Sequence, residues 1–273
     1  MAGTPLELTP AYRGGVGTSV LLLHGLGATW RIWSPVLPYL ETRHTVLAPT
    51  LSGHGGGPLL GPGVAPSIGA LADALEAGLD DMGIERAHLV GNSLGGWLAI
   101  ELARRDRGSS LVLFSPAGAW RSQRSIEVRA TAIRLSARGL ARLAPRADSV
   151  ASSRLLRWLV LAAQVAHPER VPPEQFGAFV RASGSAPAVV PLARTLPRRP
   201  VDPLSTERNY PVRLVWGGND RVLPWKGFGA PMWQRLPGAE MAVLPGVGHI
   251  PMFDDPAGVA RHILEVAGPA DEC

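Results

Sequence analysis

Residues 87–96 read AHLVGNSLGG and join a short apolar run to the start of a helical pattern. The run Ala87–Val90 predicts a buried strand, and the predicted helix Leu94–Arg105 follows Ser93 directly. A serine on a tight strand-to-helix turn needs small neighbours two residues to either side, because the turn is strained and crowded. Gly91 and Gly95 supply them around Ser93. We therefore predict that Ser93 is an exposed nucleophile; the alternative is an ordinary glycine-rich turn.

The same turn places Ser93 at the N-terminus of the predicted helix, where backbone N–H groups favour a developing negative charge. The following residue, Leu94, can supply one backbone donor to an oxyanion. The second donor is expected from the loop after strand Ser19–Leu23, which reads HGLG and offers the N–H of Leu26. The alternative for that loop is a plain glycine turn.

A serine hydroxyl is a poor nucleophile and needs an adjacent base. His249 is the candidate, in the sequence GVGH after the last predicted strand. Asp220, which follows strand Val212–Trp216, can bind the other ring nitrogen and fix the tautomer, although it can also simply form a turn. Because carboxyl ends of parallel strands share one edge of a sheet, we predict a triad of Ser93, Asp220 and His249.

The remaining histidines have structural interpretations. His24 and His54 lie in glycine-rich loops at strand ends, where we expect them to shape the loops. His44, His88 and His262 are expected to be structural or exposed.

Short apolar runs that end in turn residues predict buried parallel strands. These are Ser19–Leu23, Thr45–Ala48, Ala87–Val90, Ser110–Phe114, Val212–Trp216 and Met241–Leu244. Between them, periodic segments predict helices at Ser67–Met82, Leu94–Arg105 and Asp255–Val266. Alternating strands and helices predict the α/β class, with a doubly wound, mostly parallel sheet.

The alternation stops between residues 118 and 209, where prolines interrupt helical segments and no strong strand occurs. The best helices there are Ile126–Ala144 and Ser149–Ala166. We also expect the stretch Leu155–Ala166, which is apolar nearly all round, to be buried against the core or in an acyl pocket. The predicted division is a core of 1–117 and 210–273 with a helical cap, 118–209, inserted in it.

The composition is that of a globular chain, with 46% hydrophobic and 18% charged residues, which excludes a disordered protein. No apolar run approaches the roughly 20 residues that a membrane span needs. The N-terminus lacks the basic and apolar regions of a secretory signal. A single cysteine, Cys273, excludes an internal disulfide, and we expect a cytoplasmic protein.

Charge is distributed unevenly along the chain. Residues 119–199 carry 14 arginines, no lysine and four carboxylates, a net charge of +10, whereas the whole chain has +5 and the remainder therefore −5. Arg134, Arg138 and Arg142 recur every four residues and would share one helix face. One interpretation of this face is a solvated surface, whose arginines reflect a GC-rich coding sequence that favours arginine over lysine. The other interpretation is a positive surface that attracts anionic substrates or a negative membrane.

The chain resembles the α/β-hydrolase superfamily. The matching stretches are LLLHGLGATWRIW at 21–33, APTLSGHGGG at 48–57, GNSLGG at 91–96, VWGGNDRVLP at 215–224 and GVGHIPMFDDP at 246–256. With their spacing they cover essentially the whole chain. The resemblance is to the branch with lipases, esterases, carbon–carbon bond hydrolases, haloperoxidase-like enzymes and epoxide hydrolases. It implies the α/β-hydrolase fold, a helical cap over the site, and a triad that needs no metal or organic cofactor.

Two departures narrow the function that the resemblance implies. Epoxide hydrolases of this family use an aspartate nucleophile, so Ser93 argues against that activity. Many carbon–carbon bond hydrolases carry tryptophan directly after the catalytic histidine, and Ile250 stands there instead.

The leading expectation is a serine hydrolase that cleaves a carboxylic ester or lactone. Carbon–carbon bond hydrolysis or haloperoxidase-like chemistry on the same triad is the alternative. A non-catalytic binding protein and a lyase-like or cofactor-free oxygenase role stay open, because fold does not fix function. The expected partner is a small-molecule substrate, an apolar acyl or ester compound. Binding of nucleic acid is not expected. Contact with a membrane surface is possible, and the sequence does not indicate an oligomeric state.

Overall fold

A computed structural model describes residues 6–268, and within them seven strands form one sheet. The strands are β1 Ala11–Gly14, β2 Thr18–Leu23, β3 His44–Pro49, β4 Ala87–Asn92, β5 Gly108–Phe114, β6 Val212–Gly217 and β7 Glu240–Leu244. Their spatial order is β1-β3-β2-β4-β5-β6-β7, with β1 antiparallel to β3 and the other neighbours parallel. The predicted fold class is confirmed, and each predicted strand lies within two residues of an observed one.

The edge strand β1 was absent from the sequence prediction. It has only four residues, AYRG, and its side chains alternate between exposed and half-buried. A short edge strand buries no continuous apolar face, so its sequence carries little periodic signal.

Eleven α-helices lie in the described part of the chain. They are α1 Leu37–Leu40, α2 Ile68–Asp81, α3 Leu94–Arg104, α4 Gln123–Leu143, α5 Ala147–Ser152, α6 Arg154–Leu161, α7 Pro173–Gly184, α8 Val189–Thr195, α9 Ala230–Trp233, α10 Pro251–Asp254 and α11 Pro256–Ala267. The predicted starts of α2 and α11 are confirmed by their caps. Ser67 accepts a hydrogen bond from the Ala70 N–H, and Asp255 from the Gly258 N–H.

The strands bury alternate side chains on the two faces of the sheet, as the pleat requires. Val20 and Leu22 of β2 pack into one apolar cluster with Trp33 and Phe114. Leu21 and Leu23 of β2 pack into the cluster on the other face, with helix residues of α3. Both faces are therefore covered, which explains why the parallel strands are continuous apolar runs.

The order in which strands are added to the sheet changes sides after β3. From β2 the chain adds β3 on one side, and it then returns to place β4 on the other side, so that Leu23 pairs with Gly91. Loops that leave the carboxyl ends of such neighbouring strands line a crevice in which α/β proteins bind ligands. The sheet thereby places the loop after β2 beside the turn after β4.

The chain between β5 and β6, residues 118–209, contains α4 to α8 and is called here the helical segment. The prediction of one helix over Ser149–Ala166 was wrong. The chain is extended at Ser153, with φ −83° and ψ 113°, and the Ser153 hydroxyl accepts a hydrogen bond from the Leu156 N–H to start α6. The serine hydroxyl can form hydrogen bonds with nearby backbone groups in place of the bonds of the helix, so serine favours helix N-caps over helix interiors. The apolar spacing on either side of Ser153 gave no sign of this break.

The expected burial of Leu155–Ala166 was also wrong. Leu155, Trp158 and Leu159 are exposed, and only the last part of this stretch, at Leu161 and Val165, enters the core. Within the described residues, no helix combines the length and the apolar character that crossing a membrane requires. Cys273 lies outside the described residues.

Candidate active site

Ser93 occupies the turn between β4 and α3 in a backbone conformation that L-residues seldom adopt, with φ 55° and ψ −116°. The turn is tight enough to exclude side chains at its two flanking glycines. A Cβ on Gly91 would overlap the Gly95 carbonyl oxygen, and one on Gly95 would overlap that of Leu23. The turn is therefore a strained element held by its surroundings, as nucleophile turns are.

The side chains of His249 and Asp220 form a buried pair. Nδ1 of His249 lies 2.7 Å from Oδ2 of Asp220, and the two residues are 5% and 7% exposed. The other carboxylate oxygen of Asp220 accepts hydrogen bonds from the Val222 and Leu223 N–H groups, at 2.9 and 2.7 Å. An acceptor at Nδ1 places the ring proton there, which leaves Nε2 with a free lone pair, as a general base requires.

The loops that carry this pair are joined by their backbones. The Gly218 N–H donates to the Leu244 carbonyl oxygen at 2.9 Å, and the Asn219 N–H donates to that of Val247 at 2.8 Å. These bonds extend the pairing of β6 with β7 into the two loops. The approach of Asp220 to His249 is thus a consequence of adjacent parallel strands.

Asn92 connects the serine turn to the histidine loop. Its side-chain amide donates to the His249 carbonyl oxygen at 2.9 Å and to the Phe114 carbonyl oxygen at 3.1 Å. Ser93 Oγ has no hydrogen-bond partner among residues 6–268, so Ser93 and His249 are joined here through Asn92. Catalytic hydrogen bonds are often long before substrate binds and tighten in the complex.

The two predicted oxyanion donors belong to the loop after β2 and to the turn after β4. A Cβ on Gly25 would lie 3.3 Å from Cβ of Ser93, so the loop after β2 lies against the serine turn. Across the described part of the chain, neither the Leu26 nor the Leu94 N–H has a hydrogen-bond acceptor. Unsatisfied backbone N–H groups are the donors that binding of an oxyanion requires.

His24 and His54 act within these loops, as predicted. Nδ1 of His24 donates to the Gly25 carbonyl oxygen at 2.8 Å, and its Nε2 accepts from the Leu51 N–H at 2.9 Å. Burial lowers the pKa of His24 to about 3 and that of His54 to about 4. Both rings are therefore neutral near pH 7, and His24 connects the loop after β2 to the loop after β3.

Asp254 is a site residue that the sequence reasoning missed. Its buried carboxylate accepts three backbone hydrogen bonds, from Gly248 at 2.8 Å and from Ala166 and His167 at 2.9 Å. It thus holds the residue before His249 and the helical segment together. Its sequence context, Asp254-Asp255-Pro256, indicated only a helix cap, which Asp255 provides.

Further contacts join the helical segment to the histidine loop. The Ile250 N–H donates to the Gln164 carbonyl oxygen at 2.8 Å, and a Cβ on Gly248 would lie 2.8 Å from the Ala166 nitrogen. The Arg170 guanidinium donates to the Asp254 carbonyl oxygen at 2.5 Å. Residues 164–170 therefore pack directly on the loop that carries His249.

Comparison with known proteins shows what this arrangement is similar to. The model of the alpha/beta hydrolase family matches residues 20–262. An epoxide hydrolase of Mycobacterium tuberculosis, EphH, is 34% identical over 205 residues, which are 72% of this chain and 93% of that protein. The pimeloyl-(acyl-carrier protein) methyl ester esterase of Aromatoleum aromaticum is 28% identical over 257 residues, 90% of this chain and 97% of that protein.

Solved structures show the same architecture. A thermophilic esterase from Thermogutta terrifontis superposes with a TM-score of 0.68 and 24% identity, covering 96% of this chain and 97% of that one. At this identity the likeness supports the fold.

Proposed function

Because this chain belongs to the alpha/beta hydrolase family and is a hydrolase, we propose that it cleaves a carboxylic ester or lactone through an acyl-enzyme on Ser93. The observation that carries the proposal is the 2.7 Å hydrogen bond between His249 Nδ1 and Asp220 Oδ2, in a loop that Asn92 ties to the serine turn. The similarity to a methyl ester esterase over nearly the full length supports ester chemistry.

The proposed reaction has two steps, and in each step His249 first accepts a proton and then donates it. Nε2 of His249 takes the Ser93 hydroxyl proton as Oγ attacks the substrate carbonyl carbon, and the Leu26 and Leu94 N–H groups bind the resulting oxyanion. The protonated histidine then gives its proton to the leaving oxygen as the carbon–oxygen bond breaks. Water, deprotonated by His249, attacks the acyl group, and Ser93 Oγ regains a proton as it leaves.

The similarity to an epoxide hydrolase does not change this assignment, because of the chemistry of the residue at the turn. A serine that opened an epoxide would become an alkyl ether, which activated water does not hydrolyse. A serine that attacks an ester becomes an acyl ester, which water does hydrolyse. Ser93 therefore suits acyl transfer, and epoxide turnover by this chain would contradict the proposal.

We extend the proposal to the domain organisation. Residues 118–209 form the cap, and the other described residues, 6–117 and 210–268, form the core that carries Ser93, Asp220 and His249. The hydrogen bonds of Asp254 and Ile250 to residues 164–167 support this division, since they join that segment to the loop of His249. The substrate is then a small molecule that enters between the cap and the core.

The test is labelling with a fluorophosphonate, together with hydrolysis of p-nitrophenyl esters of increasing chain length. We expect wild type to be labelled once and to release p-nitrophenol in a burst, whereas Ser93→Ala shows neither. Asp220→Asn should lower kcat by about 10⁴-fold, because the histidine then adopts the wrong tautomer.

Ser115→Ala is the matched control. Ser115 directly follows the neighbouring strand β5, is also strained, with φ 42°, and its hydroxyl accepts a hydrogen bond from the Gly217 N–H. This variant should still be labelled. Labelling of Ser93→Ala at the wild-type rate would refute the assignment of the nucleophile.

A further inference from the structure

Helix α6 presents large apolar side chains to solvent. Leu155, Trp158 and Leu159 are 66%, 55% and 57% exposed. Their spacing of three and four residues places them on one face of the helix. Contiguous exposed apolar surface on a folded protein marks interaction sites, whereas single exposed apolar residues are ordinary.

The outward orientation of this face is fixed by what lies beneath the helix. The helix packs on α5, Leu161 at its end is buried in the core, and the half-buried Arg157 guanidinium donates to the Ala151 carbonyl oxygen. Rotating the helix to bury Leu155 and Trp158 would break these contacts. The apolar face is therefore a stable surface of the folded protein.

The segment of the chain that contains this face is rich in exposed positive charge. Arg154 on α6 is exposed, as are Arg138, Arg142 and Arg146 in the helical turns that lead towards α5. Among the described residues, only Arg181 and Arg199 of the helical segment's arginines form ion pairs with carboxylates. Most of the segment's positive charge is thus available to an external partner.

The two parts of the chain differ in the sign of their charge. Residues 119–199 carry +10 and the remainder carries −5. In the field of a negative surface such a molecule turns its helical segment, with α6, towards that surface. Two copies of the chain, in contrast, would have to bring their +10 segments together to join these faces, which Coulomb repulsion opposes.

We propose that α6 docks the protein on an anionic phospholipid surface, with Leu155, Trp158 and Leu159 inserted among the lipids and the arginines near the headgroups. Tryptophan and leucine on one face and arginine around it are the features of helices that lie in a membrane interface. The proposal does not depend on the hydrolase reaction. It describes where the protein acts, and its test uses no turnover.

The test is sedimentation with vesicles of phosphatidylcholine, with and without phosphatidylglycerol, at low and high salt. We expect binding only to the anionic vesicles and weaker binding at high salt. The variant Leu155→Gln, Trp158→Gln, Leu159→Gln should lose at least about tenfold in partition coefficient, because less apolar surface enters the interface. Trp158→Phe should keep binding but lose the blue shift of tryptophan emission that docking produces.

The matched control is Leu59→Gln with Val243→Thr, which changes exposed apolar residues of the remaining chain and should bind as wild type. Thermal unfolding verifies that each variant is folded. Equal binding of the triple glutamine variant, or no binding of wild type, overturns the proposal. A concentration-dependent dimer in gel filtration that the triple variant abolishes would assign the face to a second copy and likewise overturn it.

Discussion

The side-chain amide of Asn92 donates a 2.9 Å hydrogen bond to the carbonyl oxygen of His249, although 157 positions separate the two residues in the chain. The same amide binds the Phe114 carbonyl oxygen at the end of β5. One buried side chain thus joins the ends of β4 and β5 to the histidine loop. The position of His249 relative to Ser93 depends on it.

Replacing Asn92 with alanine should displace the histidine loop and leave the His249 carbonyl oxygen without a donor, whereas the Phe114 carbonyl oxygen still accepts from the Ser93 N–H. We expect kcat for ester hydrolysis to fall by about 10–100-fold, because small misplacements of catalytic groups have effects of this size. The free energy of unfolding should fall by about 1–3 kcal/mol. Urea unfolding and steady-state kinetics measure both effects. Asn219→Ala, whose side chain is exposed, is the control, and full activity of Asn92→Ala would show that the link does not position the histidine.

Asp254→Asn should loosen the helical segment from the histidine loop. An amide offers one acceptor oxygen where the carboxylate offers two, and its NH₂ group would face backbone N–H donors. We expect a loss of at least about 2 kcal/mol in unfolding free energy, and faster hydrogen exchange at residues 164–170. Asp255→Asn, the adjacent cap of α11, should leave exchange at 164–170 unchanged. Unchanged hydrogen exchange at residues 164–170 in Asp254→Asn would contradict the inference that Asp254 holds the helical segment to the histidine loop.

Acid should destabilise the protein through His24 and His54. In the unfolded chain both rings take up protons near the ordinary histidine pKa of 6.5, whereas in the folded protein they remain neutral until about pH 3 and 4. Stability is therefore full above pH 6.5 and decreases as pH falls, by up to about 1.4 kcal/mol per pH unit for each histidine. Denaturant unfolding measures this slope. His54→Gln should reduce this slope, and a slope equal to that of wild type would argue against the assignment.

Glycine is required at position 95 for steric reasons and is dispensable at position 78. A Cβ on Gly95 would overlap backbone atoms of Leu23, whereas one on Gly78, in α2, would have nothing within 4 Å. Gly95→Ala should reduce the unfolding free energy by about 3 kcal/mol or more. Gly78→Ala should raise it by up to about 1 kcal/mol, since alanine favours the helix. Thermal unfolding compares the two variants, and equal stability would contradict the geometry.

The sequence by itself determined the parallel strands, the turn around Ser93 and the loops that carry Asp220 and His249. These features are local. Buried strands are short apolar runs, helices repeat every three to four residues, and the glycines around Ser93 follow from crowding within one turn. The catalytic roles of these residues remain predictions, while the contact of His249 with Asp220 follows from the adjacent strands β6 and β7.

Only the tertiary structure decided the roles of Asn92 and Asp254, the break at Ser153 and the outward face of α6. The hydrogen-bond partners of Asn92 and Asp254 include groups 157 and 88 residues away, and no local pattern encodes such a choice. The apolar residues of α6 look the same in sequence whether they are buried or exposed. Which face is covered depends on the packing of α5 and the core beneath it, and this packing is a property of the whole fold.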